Sequence, residues 1–329
     1  MMAEAMNLHD VWASLQKAET MLVTTGMRLR PKDGPDLREG LDMPAALRPI
    51  FSRTVYSFDP RQIRASDYLI RYPFSTAEAI ERQLKELVAI GILTGPEDGA
   101  YAVTEEAEGA LRLHTERVGA LIDRLDLEGV NEADVRILLD YDHRILDAMR
   151  ESIADEPSPI FEHRLKGLRL DFDPPKRWHH WQLAWTMIAA HEDAEETIRV
   201  ARGIEPLAWF ARRELRSMVR RAHRARMKAC ADLPRLAQLY APIDEAEGAC
   251  AATLGRMEEL GWIEIDGDAC RLTSSELERA DRDEAEIEEI LFRRWPELSA
   301  EERSEVKRIT DAINVRCEEL RAKADASAE

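Results

Sequence analysis

The chain has 329 residues, of which 45% are hydrophobic, and its formal net charge is −18. This length favours two or three domains with a sizeable core, and the acidic balance opposes association with nucleic acid unless basic residues gather on one face. No apolar run approaches the ~20 residues that span a bilayer, and the N-terminus lacks the pattern of a signal peptide. We therefore expect a cytoplasmic protein without membrane contact.

The cysteines do not form a pattern typical of zinc ligands, because there is no Cys-x-x-Cys pair and no histidine at finger spacing. They are Cys230, Cys250, Cys270 and Cys317. The sequence also lacks the Gly-x-Ser-x-Gly, P-loop, His-Glu-x-x-His and Gly-x-Gly-x-x-Gly motifs. We expect reduced thiols, no metal, no cofactor and no catalytic residues, so an enzyme is not the predicted class.

Apolar periodicity and breaks that contain Gly or Pro divide the chain into four parts. A helix over residues 4–25 precedes a charged linker over residues 28–40, and further breaks are expected at Gly129 and Gly203. The predicted parts are an N-terminal helix and linker (1–40), a first compact unit (41–113), a helical middle domain (114–229) and a second compact unit with C-terminal helices (230–329).

An internal repeat connects the two compact units. Residues 80–93 align with residues 250–263, and apolar residues coincide at the pairs 80/250, 84/254, 87/257 and 90/260. Each segment predicts a helix that ends at a glycine in the C′ position, Gly91 or Gly261, followed by a β-hairpin. After the hairpin turn, residues 100–104 align with residues 269–273.

Hydroxyl side chains mark the expected helix starts in both units. Thr104 and Thr273 end the two hairpins and can cap the helices that follow. The spacing of Thr273 and Glu276 predicts a full capping box, and that of Ser75 and Glu78 predicts another, which would open the main helix of the first unit.

The order of helix, glycine, hairpin and threonine-capped helix is typical of winged helix-turn-helix domains. Residues 254–264 and the hairpin after them resemble the recognition helix and wing of MarR-type transcriptional regulators, and residues 298–302 with the following helix resemble that family's dimerisation segment. The likeness covers residues 231–320, with a weaker first copy over residues 65–113. The middle segment resembles no family that we can name.

The resemblance implies a mainly α fold with two winged helix-turn-helix units, at about residues 60–113 and 230–280, joined by a helical middle domain. It also implies a transcriptional regulator that binds double-stranded DNA. A helix over Asp244–Leu260 would then read bases, but it carries five carboxylates and one arginine, which suits phosphate contacts poorly. We expect this second unit to face a protein instead.

The first unit offers more groups that could meet bases or phosphates. The alternative is a solvated helix face, and the sequence leaves both open. The candidate DNA contacts in this unit are Ser75, Thr76, Arg82, Gln83, Lys85, Arg61, Arg64 and Arg71.

The most basic stretch lies over residues 202–228. As a helix, it places Arg213, Arg216, Arg220 and Arg224 on one side. These arginines are further candidate DNA contacts, since such a stripe could attract phosphates. The alternative is that they pair with carboxylates of this acidic chain.

An aromatic stripe precedes the arginines. Trp178, Trp181 and Trp185 recur at helical spacing, with His180 and His191 beside them. They could line a pocket for a small-molecule effector, but aromatic stripes are more often core, and two histidines lack the further ligands that a metal needs.

The C-terminal helix, predicted over Ala300–Lys323, suggests self-association. Its apolar positions, taken as exposed, are Val306, Ile309, Ile313 and Leu320. Two functions follow as hypotheses. One is a DNA-binding transcriptional regulator, with or without a small-molecule effector. The other is a winged-helix scaffold that does not bind DNA and binds a protein partner or a small molecule through its middle domain.

Overall fold

A computed structural model of the chain describes residues 7–31, 63–71, 76–168, 176–225, 231–232, 249–267 and 269–326. The fold is mainly helical, as predicted, with two small antiparallel sheets. The helices are α1 (Leu8–Arg28), α2 (Ala65–Arg71), α3 (Ala77–Ala89), α4 (Glu105–Asp123), α5 (Glu132–Ser152), α6 (Pro159–Gly167), α7 (Arg177–Ala201), α8 (Pro206–Ala225), α9 (Ala249–Glu259), α10 (Ser274–Phe292) and α11 (Ala300–Ala326). The strands are β1 (Leu93–Glu97), β2 (Ala100–Val103), β3 (Ala231–Asp232), β4 (Ile263–Asp266) and β5 (Ala269–Leu272).

The two repeated segments have the same local structure. In both, the glycine after the helix adopts a positive φ, 77° at Gly91 and 69° at Gly261, which suits a C′ residue. The threonine after each hairpin then donates a hydrogen bond to the carbonyl of that glycine, over 2.9 Å from Thr104 and 3.0 Å from Thr273. The same hydrogen bond therefore joins the end of the hairpin to the end of the preceding helix in both copies.

A third extended segment completes each hairpin. Ile63 forms an antiparallel bridge with Tyr101 of β2, and Ala231 of β3 pairs with Cys270 of β5. Tyr101 and Cys270 occupy the same position in the two copies. The order of the three segments is thus the same in both units, with the second hairpin strand at the centre.

The helix caps depart from two predictions. Thr76, not Ser75, caps α3, because its side chain accepts from the backbone of Ala79; Ser75 itself lies outside the described residues. Thr273 accepts from the backbone of Glu276, as predicted. However, the side chain of Glu276 is buried against an arginine of α8, so the predicted full capping box is wrong.

The repeat extends far beyond the two hairpin units. At an offset of 169 residues, α1 coincides with the start of α7, and α4 coincides with α10. Buried positions correspond as well. Trp12 and Trp181 match in the first pair of helices, and the matches in the second pair are Ala107/Glu276, Leu111/Ala280, Val118/Ile287 and Ile122/Leu291.

Helices α5 and α11 form the next matching pair, at an offset of 168. Each begins with a reciprocal pair of cap hydrogen bonds. The pair joins Asn131, just before α5, to Asp134 of α5, and it joins Ser299, just before α11, to Glu302 of α11. Their buried positions match in six places: Leu138/Val306, Tyr141/Ile309, Asp142/Thr310, Ile145/Ile313, Leu146/Asn314 and Met149/Cys317. Among the described residues, the order α1, α3, β1, β2, α4 and α5 therefore recurs as α7, α9, β4, β5, α10 and α11, and α6 lies between the two halves.

The two halves share one core. It is built from α1, α5, α6, α7 and α11 with parts of α4 and α10, so many described residues of the predicted middle domain (114–229) pack in a core that they share with α1 and α11. Helices α1 and α11 lie side by side and run in the same direction, since Ser14 meets Thr310 and Arg28 meets Asp325.

This packing contradicts the expectation that the apolar residues of the C-terminal helix are exposed and available for self-association. Val306, Ile309 and Ile313 are at most 2% exposed, and Leu320 is partly buried against the same core. Their apolar face meets helices of its own chain, so these residues are not the exposed surface that the sequence suggested.

The second unit has a smaller core of its own. Ala208, Ala211 and Leu215 of α8 pack with residues of α9 and of strands β4 and β5. Helix α8 thus belongs structurally with the second hairpin unit, although it precedes residue 230. Within the described ranges, no helix has the length and apolar character to cross a membrane.

Candidate nucleic-acid interface

Helix α3 presents the main candidate surface of the first unit. Ile80, Leu84 and Leu87 bury one side of it, which leaves the opposite side open. Thr76, Arg82 and Lys85 are exposed there, and Gln83 is half-buried. The structure thus places four of the predicted contact residues along one helix. Ser75 and Arg61 lie outside the described residues, and Arg71 ends α2.

Local contacts tie this surface to the hairpin. The hydroxyl of Tyr101 donates to Glu81, and burial together with that carboxylate raises the pKa of Tyr101 to about 12. Lys85 lies 3.6 Å from the same carboxylate. Arg64 donates to the carbonyl of Asp98 over 3.4 Å, which links the start of α2 to the hairpin turn.

The charge of this surface is mixed. Arg82 and Lys85 of α3 lie among three carboxylates of the same helix and two of the hairpin. The carboxylates are Glu78, Glu81, Glu86, Glu97 and Asp98. Phosphate binding rests on cations, so only a limited basic strip is available.

Helix α9 of the second unit has a different exposed side. At the positions of Arg82, Gln83 and Lys85, it carries Ala252, Thr253 and Gly255. Ala252 is exposed, and a Cβ atom added to Gly255 would meet nothing within 4 Å. The side is therefore open but has no long polar side chain at these three positions.

The arginine stripe of α8 is directed towards the chain's own carboxylates. Arg213 contacts Glu195 of α7 at 2.9 Å. Arg216 contacts Asp281 at 2.8 Å and Glu284 at 2.6 Å, both of α10. This is the internal pairing that the sequence left open as the alternative. Arg220 and Arg224 belong to the same helix, and their side chains lie outside the described residues.

A neighbouring arginine, which the sequence did not single out, is more deeply buried. The side chain of Arg212 is 3% exposed and forms ion pairs with Glu276 and Asp283 of α10. Its Nη2 atom has no hydrogen-bond partner in the described part of the chain. The available signal was its spacing, since Ala208, Ala211 and Leu215 place it near the buried side of α8.

Arg212 lines a cleft between α7, α8 and α10. The cleft is narrow, with about 20 Å³ of room for a water-sized molecule, which is enough for one water. Trp209 and Ile287 contribute apolar walls, and Arg213 and Glu284 contribute charge. Because carboxylates and guanidinium groups alternate around it, the cleft is polar with both signs of charge.

The predicted aromatic pocket lies inside the core. Trp178 and Trp181 are each 8% exposed, and Trp181 stacks on Trp185 with ring centres 6.3 Å apart. This placement matches the core interpretation of the stripe. None of the three indoles lines the cleft around Arg212.

The two histidines of the stripe are buried beside carboxylates. His180 Nδ1 lies 2.7 Å from Asp142 of α5, and His191 Nε2 lies 3.4 Å from Glu284. Burial disfavours the charged form of His180, but the charge and the hydrogen bond of the Asp142 carboxylate favour it more strongly, so the pKa of His180 is raised. The histidines thus join helices through contacts with buried or partly buried carboxylates.

A second buried polar cluster surrounds Asp193 of α7. Its carboxylate accepts from the Ser158 hydroxyl at 2.6 Å and from the backbone of Ile160 and Phe161 at 3.0 Å. Arg294 donates to the same hydroxyl over 2.6 Å. Asp193 therefore caps α6 from another helix, a contact that sequence spacing does not reveal.

No known protein family, curated protein or solved structure matches this chain.

Proposed function

We propose that the chain is a double winged-helix protein that binds duplex DNA through its first unit and acts as a transcriptional regulator. The observation that carries this proposal is the common order of elements in both units. A helix ends at a positive-φ glycine, an antiparallel hairpin follows, and a third segment pairs with the second hairpin strand. A helix flanked by a hairpin can enter the major groove while the hairpin meets the adjacent backbone.

The residues of α3 have defined roles in this proposal. Arg82 and Gln83 carry donors that suit base edges, and Lys85 neutralises a phosphate. Thr76 lies at the helix N-terminus, where backbone amides favour anions. Arg64 stands beside the hairpin turn and supports the backbone contact. Arg61, Ser75 and Arg71 remain candidates of the same unit.

Retention of a random-sequence duplex as a function of ionic strength tests this function. The double variant Arg82→Ala, Lys85→Ala should reduce the slope of log affinity against log salt by about two, because two cations no longer displace counterions. Arg136→Ala is the matched control, since this exposed arginine of α5 forms a local ion pair with Glu132. A wild-type chain that retains no duplex at low salt contradicts the proposal.

A scaffold function is the second candidate, and the charges favour it. Arg213 and Arg216 of the predicted basic stripe are paired internally, and both units carry more carboxylates than cations. In this candidate, the narrow cleft around Arg212, whose guanidinium lies over the ring of Trp209, widens around a small molecule. A folded chain that fails to retain DNA at any salt concentration but gains thermal stability from a small molecule would favour this candidate.

A further inference from the structure

The two halves of the chain pack as two subunits of a symmetric dimer would. Helix α1 of the first half packs on α11 of the second, and α7 of the second half packs on α5 of the first. Since α1 matches α7 and α5 matches α11, this exchange is reciprocal. The contacts involve one pair of matching positions, because Ser14 of α1 meets Thr310 of α11 and His180 of α7 meets Asp142, which matches Thr310.

We infer that one chain is a complete DNA-binding assembly that recognises a non-palindromic site, read by α3 of the first unit alone. This inference rests on the proposed function. A dimer of identical subunits reads two equal half-sites, and its symmetry appears as a palindrome. Here the helix faces that would join two subunits are already occupied within one chain, and the two units differ.

The difference between the units is concentrated on the exposed side of the main helix. The core positions stay apolar in both, as at Leu84 and Leu254. On the exposed side, Arg82 and Lys85 are replaced by Ala252 and Gly255. Neither replacement carries a group that can donate to a base or reach a phosphate. Because a Cβ at Gly255 would meet open space, packing does not force this loss.

The surroundings of α9 oppose phosphates as well. Glu258 and Glu259 are exposed at the end of the helix. In the adjacent hairpin, Arg271 is held by Glu264 at 2.5 Å, so that its charge is compensated locally. Carboxylates near a duplex reduce affinity, and here they adjoin Arg256, the single cation of α9, so the described part of the second unit is poorly suited to base reading.

Selection from random duplex DNA, followed by light scattering of the complex, tests the inference. We expect a motif without twofold symmetry and a complex of one 37.6 kDa chain with one duplex. The double variant Ala252→Arg, Gly255→Lys restores the side chains of α3 on α9. It should prefer an inverted repeat of the selected motif over a single motif by about tenfold or more, whereas the wild-type chain should not.

The outcomes separate this inference from the proposed function. A palindromic motif bound by two chains overturns the inference and leaves DNA binding intact. Absence of any duplex binding overturns both. The inference is also overturned if Arg82→Ala on α3 and Arg256→Ala on α9 reduce the affinity for DNA equally.

A cross-link tests the one-chain assembly directly. The hydroxyls of Ser14 and Thr310 are 2.6 Å apart, so Ser14→Cys with Thr310→Cys places two thiols in bonding range. Oxidation should join them within one chain, and the protein should migrate as a monomer on a non-reducing gel, as the Ser14→Cys and Thr310→Cys single variants do. A cross-linked dimer would show that the halves pair between chains, which overturns the inference.

Discussion

Trp12 and Trp181 occupy equivalent positions 169 residues apart and are buried in the same core. Their ring contacts differ. Trp12 meets Trp295 edge to face at 5.9 Å, whereas Trp181 stacks on Trp185. The two halves thus keep a large aromatic side chain at the same place of the fold while the side chains around it have diverged. One core holds both, so the halves should unfold together.

Trp12→Ala tests this shared core. We expect a loss of about 3–5 kcal/mol in the free energy of unfolding, because a buried indole leaves a large cavity. Unfolding in urea should remain a single transition, measured by circular dichroism and by fluorescence of the remaining tryptophans. Met27→Ala on the same helix is the control, since Met27 is 43% exposed. Two separate transitions would contradict a common core.

The buried pair of Arg212 and Glu276 gives a second prediction. Their side chains are 3% and 2% exposed, and Asp283 shares the same guanidinium. Arg212→Ala would remove the buried cation that both carboxylates share and leave them the more exposed Arg279 and Arg202, which are 42% and 36% exposed, so we expect a loss of about 3 kcal/mol. The measurement is the free energy of unfolding in urea.

The hairpin provides the matched control for this pair. Arg271 and Glu264 also form an arginine–carboxylate pair, but they are 64% and 53% exposed. Arg271→Ala should therefore change stability by no more than about 1 kcal/mol. Equal effects of the two arginine substitutions would mean that Arg212 is solvated and that the buried pair is not formed.

Asp193 predicts a dependence of stability on pH. Burial raises the pKa of its carboxyl from 3.8 to about 6, although Ser158 and two backbone amides donate to it. The folded chain therefore binds this proton more tightly than the unfolded chain. Its contribution to stability is fully present at low pH and is lost as pH rises through about 4 to 6, with a magnitude of about 3 kcal/mol.

Asp193→Asn isolates that contribution, because asparagine does not ionise in this range. Relative to wild type, the variant should gain about 3 kcal/mol between about pH 4 and about pH 7, whatever its stability at the lower pH. Asp147→Asn, at an exposed site on α5, is the control for the substitution of aspartate by asparagine itself. Parallel profiles for wild type and Asp193→Asn would rule out a raised pKa at Asp193.

Local features of this fold could be predicted from the sequence, because they depend on neighbouring residues. The spacing of Ile80, Leu84 and Leu87 indicates one buried helix side, and Gly91 and Gly261 mark helix ends through their backbone freedom. These signals gave both hairpin units. Periodicity does not indicate which element packs against an apolar helix side. The apolar residues of α11 were therefore interpreted as a surface for self-association with a second copy of the chain.

The wider duplication was hidden for a related reason. Its outer helices keep buried positions but not residue types, as in Leu15 and Ala184 or Leu22 and His191. Arg212 was also missed, since arginine is mostly exposed and its carboxylate partners follow more than sixty residues later in α10. Contacts between distant elements decide such cases, and periodicity does not contain them.

Two glycines of α4 give the last prediction. A Cβ at Gly119 would approach the indole of Trp178 to 2.9 Å, whereas a Cβ at Gly109 would meet nothing within 4 Å. Alanine favours a helix over glycine by ~1 kcal/mol, so Gly109→Ala should stabilise the chain by about 0.5–1 kcal/mol. Gly119→Ala gains the same propensity but overpacks the core, which costs about 1–3 kcal/mol, so a net loss is expected.

The combination with Trp178→Leu shows whether the indole is the cause. A smaller side chain makes room for the new methyl group, so Gly119→Ala should be less harmful in that background than in wild type. The coupling is read from a double-mutant cycle on the free energy of unfolding. A Gly119→Ala penalty that is the same in both backgrounds would mean that contacts other than Trp178 require glycine at this place, where α4 crosses the first turn of α7.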